Sequence, residues 1–267
     1  MAINTLDGVI AGMQPPEEFL KVGAGTQVVG RMYSPFYVTG RPGAAVAPTP
    51  GLGGAALTTY AGQIPFANGA LDQYLARFAA QSVTTGILLL CDRLWHNSGI
   101  VITQTTAQTI NSVAWPARDN VASVNGAGVR LGLEVSTVTG AGAAVVSAVY
   151  TNELGVGSKT ATCRPAYAAT SIVGAFYDFA LAAGDNGVRS VQSYTATVSM
   201  TSGVVHLVAY RVLAQIGINV AGAENAVDAL TSGMPKLHND TVPFLLWLPA
   251  TTTAPTLLGG QVVYTHG

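Results

Sequence analysis

The chain has 267 residues, 12 Lys and Arg against 13 Asp and Glu, a formal net charge of −1, and only 9% charged residues beside 49% hydrophobic ones. That balance leaves no electrostatic footprint for nucleic acid or an anionic lipid surface, and polar interruptions leave no run of about 18 apolar residues for a membrane-spanning helix. An ordinary soluble domain carries about 25% charge, so the deficit, with a mean hydropathy of +0.39, points to an assembly subunit whose surface is covered by neighbours.

In chain order, residues 1 to 23 hold the one convincing helical start. Asn4 or Thr5 can cap it, Asp7 suits its positive end, Leu6, Ile10 and Met13 share a face, and Pro15-Pro16 stops it. Glu17 to Lys21 are expected to add one more turn. Residues 34 to 69 carry Pro35, Pro42, Pro48, Pro50 and Pro65 among many glycines, which predicts an extended ordered loop lying along protein surface. Residues 1–69 are therefore set apart as an N-terminal arm and Gly/Pro-rich segment, expected to supply contacts to neighbours and to be dispensable for folding the rest.

Residues 70–267 are expected to form a β-sandwich domain. Leu71, Leu75 and Phe78 have helical spacing, although an extended reading is nearly as good. Gly86 to Trp95 reads as a buried strand, Ile100 to Ile110 as Thr-rich and β-prone, and Trp115 to Gly128 as loop. Val129, Leu131, Leu133 and Val135 alternate with Arg130, Glu134 and Ser136, and after Thr139-Gly140-Ala141-Gly142 the alternation resumes at Ala144, Val146, Ala148 and Tyr150. The spacing predicts a hairpin. A second hairpin is predicted from Ser190 to Leu213 around Thr201-Ser202-Gly203, and its order of elements echoes the first. Phe176, Tyr177 and Phe179 are candidate core aromatics; Ala221 to Leu230 is weakly helical, and Val242 to Leu248 and Leu257 to Tyr264 read as closing strands. Strands joined by short turns predict an all-β, jelly-roll-like sandwich with an N-terminal helical arm.

No chemistry-bearing constellation emerges. His96, His206, His238 and His266 have no metal-ligand spacing. Cys91 and Cys163 are too few for a disulfide framework and read as small buried hydrophobes. Phosphate-binding glycine motifs and the GxSxG elbow are missing. Asp92, Arg93 and His96 form the one compact polar cluster, read as a buried ion pair at a strand end. The expectation is a protein without catalytic, cofactor or metal residues and without enzymatic activity, made in a reducing cytoplasm because the first residues lack the pattern of a secretory signal.

The segments MAINTLDGVIAGM, LLLCDRLWHNSGI, LGLEVSTVTG with VYTNELG, and GDNGVRSVQSY resemble virion structural proteins of tailed bacteriophages, of the capsid-associated or minor structural kind. The resemblance implies a jelly-roll or related sandwich decorating the capsid as a symmetric oligomer. A decoration or cement protein is the first expectation, with the major capsid protein or other virion proteins and further copies of itself as partners. A tail, neck or fibre component is the alternative. A carbohydrate-binding sandwich comes third, since Trp95, Trp115 and Trp247 are available for a stacking platform.

Overall fold

The computed structural model describes residues 3, 5–231, 233 and 235–267. α1 (Leu6–Ala11) is capped by Thr5, whose hydroxyl accepts the Gly8 N–H at 3.1 Å; Asn4, the other candidate cap, lies outside the described residues. Six residues can present only a narrow face. Val9 occupies it, packed with Ala76 and Val263, which leaves Leu6, Ile10 and Met13 exposed.

The strands are β1 (Glu17–Val22), β2 (Met32–Tyr33), β3 (Gly40–Arg41), β4 (Ala55–Ala56), β5 (Gln73–Ser82), β6 (Gly86–His96), β7 (Gln108–Thr109), β8 (Arg130–Thr137) and β9 (Val146–Asn152). They continue as β10 (Lys159–Arg164), β11 (Ala175–Ala180), β12 (Val188–Ala196), β13 (Val204–Ile218), β14 (Asn225–Asp228), β15 (Lys236–Leu237), β16 (Pro243–Pro249) and β17 (Leu257–His266). The fold is an all-β sandwich. One sheet runs β14-β5-β17-β1-β3; the other runs β2-β16-β6-β13-β8-β11-β10-β9-β12-β7.

Several expectations change. Glu17–Val22 is a strand and not a helical turn, because β17 offers an open ladder from Val262 to Leu257 and Phe19 and Lys21 alternate inward. Residues 71–78 and 221–230 likewise yield to tertiary pairing as β5 and β14, which are neighbours in the smaller sheet. Little of Ile100–Ile110 becomes strand, since the Gln108 side chain bonds both the N–H and the C=O of Val101 and closes a loop. The segment 1–69 is no detachable arm: β1 lies between β17 and β3, Phe19 and Phe36 are 2% exposed in two different cores, and Leu57 and Ile64 bond to Leu94 and Pro243. Removing residues 1–60 would open both cores.

Neither predicted hairpin forms. β8 pairs with β13, β9 with β12 and β10 with β11, and outside these β6 pairs with β16 and β5 with β17. Every pair encloses the next, so the chain runs as one long two-stranded ribbon folded back on itself, the jelly-roll pattern. The two predicted turns are the corner of that ribbon. Val145 and Thr197 exchange bonds across it, and the Gly140 N–H reaches Met200 and Ser202. A Cβ on Gly142 would sit 1.7 Å from the Ser199 carbonyl oxygen, so the corner requires glycine there. The sequence echo between the segments thus marks the two sides of one bend.

The pairing also closes a ring. β2 pairs with both β16 and β11, so β2, β16, β6, β13, β8 and β11 form a barrel-like closure. On the outer side of β6, β8 and β13 lies the largest apolar core, with Trp95 and Trp115 at 5.0 Å and Leu131, Leu133 and Val135 all buried. A second core sits between the smaller sheet and the far halves of β6, β13 and β16. The ring encloses a third, built on Phe36, Cys91, Phe176, Val208, Tyr210, Phe244 and Leu246.

Candidate functional site

The chain's polar chemistry gathers inside and beside this ring. On β6, Arg93 and Asp92 are consecutive, so their side chains leave opposite faces. Arg93 enters the ring and meets Glu134 of β8 at 2.7 Å, both side chains being 0% exposed. Tyr37, in the short helical turn Pro35–Tyr37, donates to Glu134 at 2.9 Å, and the guanidinium lies over the rings of Phe36 and Phe244 at 4.8 and 5.6 Å. Burial alone would raise the Glu134 pKa, but the charge and hydrogen bond of Arg93 with the Tyr37 hydroxyl hold it below the usual value. One nitrogen of Arg93 and one oxygen of Glu134 lack a partner among the described residues.

Two histidines flank the pair. His96 accepts from Arg93 Nε at 3.3 Å and meets Tyr60 edge-on at 4.6 Å. His206 places Nδ1 2.8 Å from the Asn97 carbonyl, which can only accept, so Nδ1 carries the proton and Nε2 accepts from Ser136 at 2.7 Å. Burial, with the Arg93 charge, pushes His96 down to about 2, and burial pushes His206 down to about 4 against the opposing pull of the Asn97 bond. Both are neutral throughout the physiological range.

Asp92 serves a second network. It accepts from Arg118 at 3.2 Å, from Arg211 at 3.3 Å and from the Val242 N–H at 2.9 Å. Arg118 also donates to the carbonyl of Leu57, tying the Gly/Pro-rich segment to β6. The expected cluster of Asp92, Arg93 and His96 is therefore buried and ion-paired, but each charge is answered by a distant residue. Glu134, Tyr37, Arg118 and Arg211 were not assigned to it from the sequence. A signal was present: in a chain so poor in charge, Glu134 and Arg211 each stand inside an apolar strand, where only pairing makes burial tolerable.

Lys21 was also missed. Directed inward from β1, it donates to the carbonyls of Val38 and Gly43 at 3.1 Å each, and burial brings its pKa down to about 8. Cys91 and Cys163 are buried and unbridged, and burial raises both thiols. Trp95, Trp115 and Trp247 are all in cores, so none of them forms an exposed stacking platform. Among the described residues no three His, Cys, Asp or Glu side chains converge on a metal position, and no helix is long and apolar enough to cross a membrane.

No protein-family model matches the chain, and no curated protein matches it. Among solved structures, the VP2 subviral particle of infectious bursal disease virus is similar at 7% identity and a TM-score of 0.21, with 96% of this chain and 81% of that chain covered. T=1 particles derived from infectious bursal virus follow at 8% identity and a TM-score of 0.15, covering 96% and 79%. At these scores neither likeness carries an argument about fold or function.

Proposed function

We propose that this chain is a structural protein of a virus particle, and more narrowly a decoration or cement protein that clamps the capsid of a tailed bacteriophage as a symmetric oligomer bound to the major capsid protein. The observation that carries the reading is the outer surface around α1 and β1: in a chain with 9% charge, Leu6, Ile10 and Met13 are 58%, 59% and 45% exposed, and Leu20 and Val22 50% and 45%. Burying such side chains against a neighbour contributes on the order of 1–2 kcal/mol each. That is weak for one copy and adds up when symmetry repeats it around a shell. The buried ion-paired networks of Arg93 and Asp92 support a scaffold in place of an enzyme.

The test compares particles carrying the protein with particles lacking it. Loss of a cement protein makes shells rupture at lower temperature or on chelation, and Leu6→Ser with Ile10→Ser should abolish binding to particles while the fold survives. A well-behaved monomer at high concentration, absent from purified particles, overturns the reading. The non-enzymatic reading falls if turnover of a polysaccharide, ester or phosphoester is found and Asp92→Asn abolishes it.

A further inference from the structure

Three asparagines in this chain precede a glycine: Asn68, Asn125 and Asn186. Such a pair is chemically labile in water, because glycine has no Cβ to shield its amide nitrogen and the asparagine carboxamide carbon is within that nitrogen's reach. The fold treats the three pairs differently.

At Asn68 both members of the pair are engaged. The Gly69 N–H donates to the Asn239 side-chain oxygen at 3.1 Å, while the Asn68 carboxamide donates to Asp240 at 2.6 Å and accepts the Asp240 N–H at 2.7 Å. At Asn125 the nitrogen is held by a charge: the Gly126 N–H donates at 2.9 Å to the buried Asp119 carboxylate, which also gathers the N–H groups of Val121, Ser123 and Ala127.

Asn186 has neither restraint. It is exposed, and among the described residues its carboxamide makes no hydrogen bond and the Gly187 N–H has no acceptor. The local pairing explains the free N–H. Ala127 and Gly187 face each other across a bridge whose bond runs from the Gly128 N–H to the Asn186 carbonyl at 3.0 Å, and the Ala127 carbonyl is taken by the Asn120 N–H. Glycine is nonetheless required at 187, since a Cβ there would sit 1.9 Å from the Gly126 carbonyl oxygen. Packing thus demands the residue that makes the pair reactive.

We propose that Asn186 is a site of spontaneous deamidation in the folded protein, with Asn68 and Asn125 protected. The Gly187 amide nitrogen gives up its proton and attacks Cγ of Asn186; the new N–C bond forms, the carboxamide C–N bond breaks, and ammonia leaves with the proton. Water then opens the cyclic imide at one of its two carbonyls, giving aspartate or isoaspartate. Either product adds a negative charge beside Asp185 and Glu153, whose carboxylate accepts the Asn186 N–H at 3.1 Å. Isoaspartate also inserts a main-chain carbon where the Gly128 N–H is anchored, which loosens the entrance to β12.

The full chain, incubated folded at mildly alkaline pH and sampled by peptide mapping with mass detection, should convert Asn186 roughly tenfold or more faster than Asn68 or Asn125, the margin set by the hydrogen bonds that hold Gly69 and Gly126. In denaturant the three should convert at similar rates, because each is followed by glycine and no fold distinguishes them. Asn186→Gln should remove the early acidic form on isoelectric focusing and, having no side-chain bond to lose, should melt as the parent does. Conversion of Asn68 or Asn125 as fast as Asn186 in the folded chain, no conversion at Asn186, or an acidic form that persists in Asn186→Gln overturns the inference. Asn186 leading by the same margin in denaturant would assign the lability to local sequence and overturns it as well.

Discussion

Leu133 and Glu134 are neighbours on one strand and lie in two different interiors. Leu133 faces the sandwich core, where Trp95 and Trp115 sit among aliphatic side chains; Glu134 faces the ring, where an ion pair, a tyrosine and two histidines share the space with aromatic rings. The first interior tolerates any well-fitting apolar group, while the second depends on every charge keeping its partner. A period-two pattern reports that successive residues have different surroundings. It does not report that one of those surroundings is water.

The largest effect should come from breaking the ring's pairing. Glu134→Ala leaves Arg93 charged at zero exposure and should cost about 3–5 kcal/mol, read as a drop in the denaturant midpoint; a change below about 1 kcal/mol would mean that the ring is wetter than its geometry indicates. On the other face, Leu133→Ala should cost about 2–4 kcal/mol by cavity formation, and this cost should not vary between pH 5 and 8.

Acid separates the two interiors next. His96 and His206 have folded pKa values of about 2 and about 4, below the ordinary 6.5. Between those values and 6.5 the unfolded chain binds more protons than the folded one, so the histidines' contribution is complete above pH 6.5 and is lost as pH falls. The lowered Glu134 acts in the same direction at lower pH. His206→Gln should flatten the decline between pH 6.5 and 4 by an amount on the order of 3 kcal/mol, measured by chemical denaturation at a series of pH values; an unchanged slope would remove His206 from the explanation.

A smaller effect sharpens the contrast. Arg93→Met with Glu134→Leu replaces the ion pair by apolar groups of similar size and should change stability by only about 1 kcal/mol in either direction, recovering most of what Glu134→Ala loses. The smallest effect belongs outside both interiors: Leu6→Ser with Ile10→Ser should alter stability by no more than about 0.5 kcal/mol and should act only on association.

The strands themselves were readable where apolar residues recur every second position, at Val129 to Val135 and Val146 to Tyr150, because burial on one face imposes that period whatever the neighbour. The partners were not readable. Thr139 to Gly142 and Thr201 to Gly203 have hairpin composition, but glycine serves a ribbon corner as well as a tight turn, and only distant pairing decides between them. The polar cluster was half readable for a similar reason. Asp92, Arg93 and His96 are close in sequence, whereas Glu134, Arg118 and Arg211 reach them only after the ribbon has folded.

The enclosure of each strand pair by the next sets a timetable for the nascent chain. Leu20 finds its ladder partner at Gly259, and Gln73 at His266. At about 5–20 residues per second, roughly 10 to 50 seconds separate the emergence of β1 from that of β17. During that interval Phe19, Phe78 and Val9 lack the β17 side chains that cover them, while the ribbon's tip, between Arg164 and Ala175, can already close. The outer sheet is therefore the last part of the molecule to exist and the first to be forfeited when translation stops short: a ribosome released before residue 257 leaves β1 and β5 without the strand that joins them.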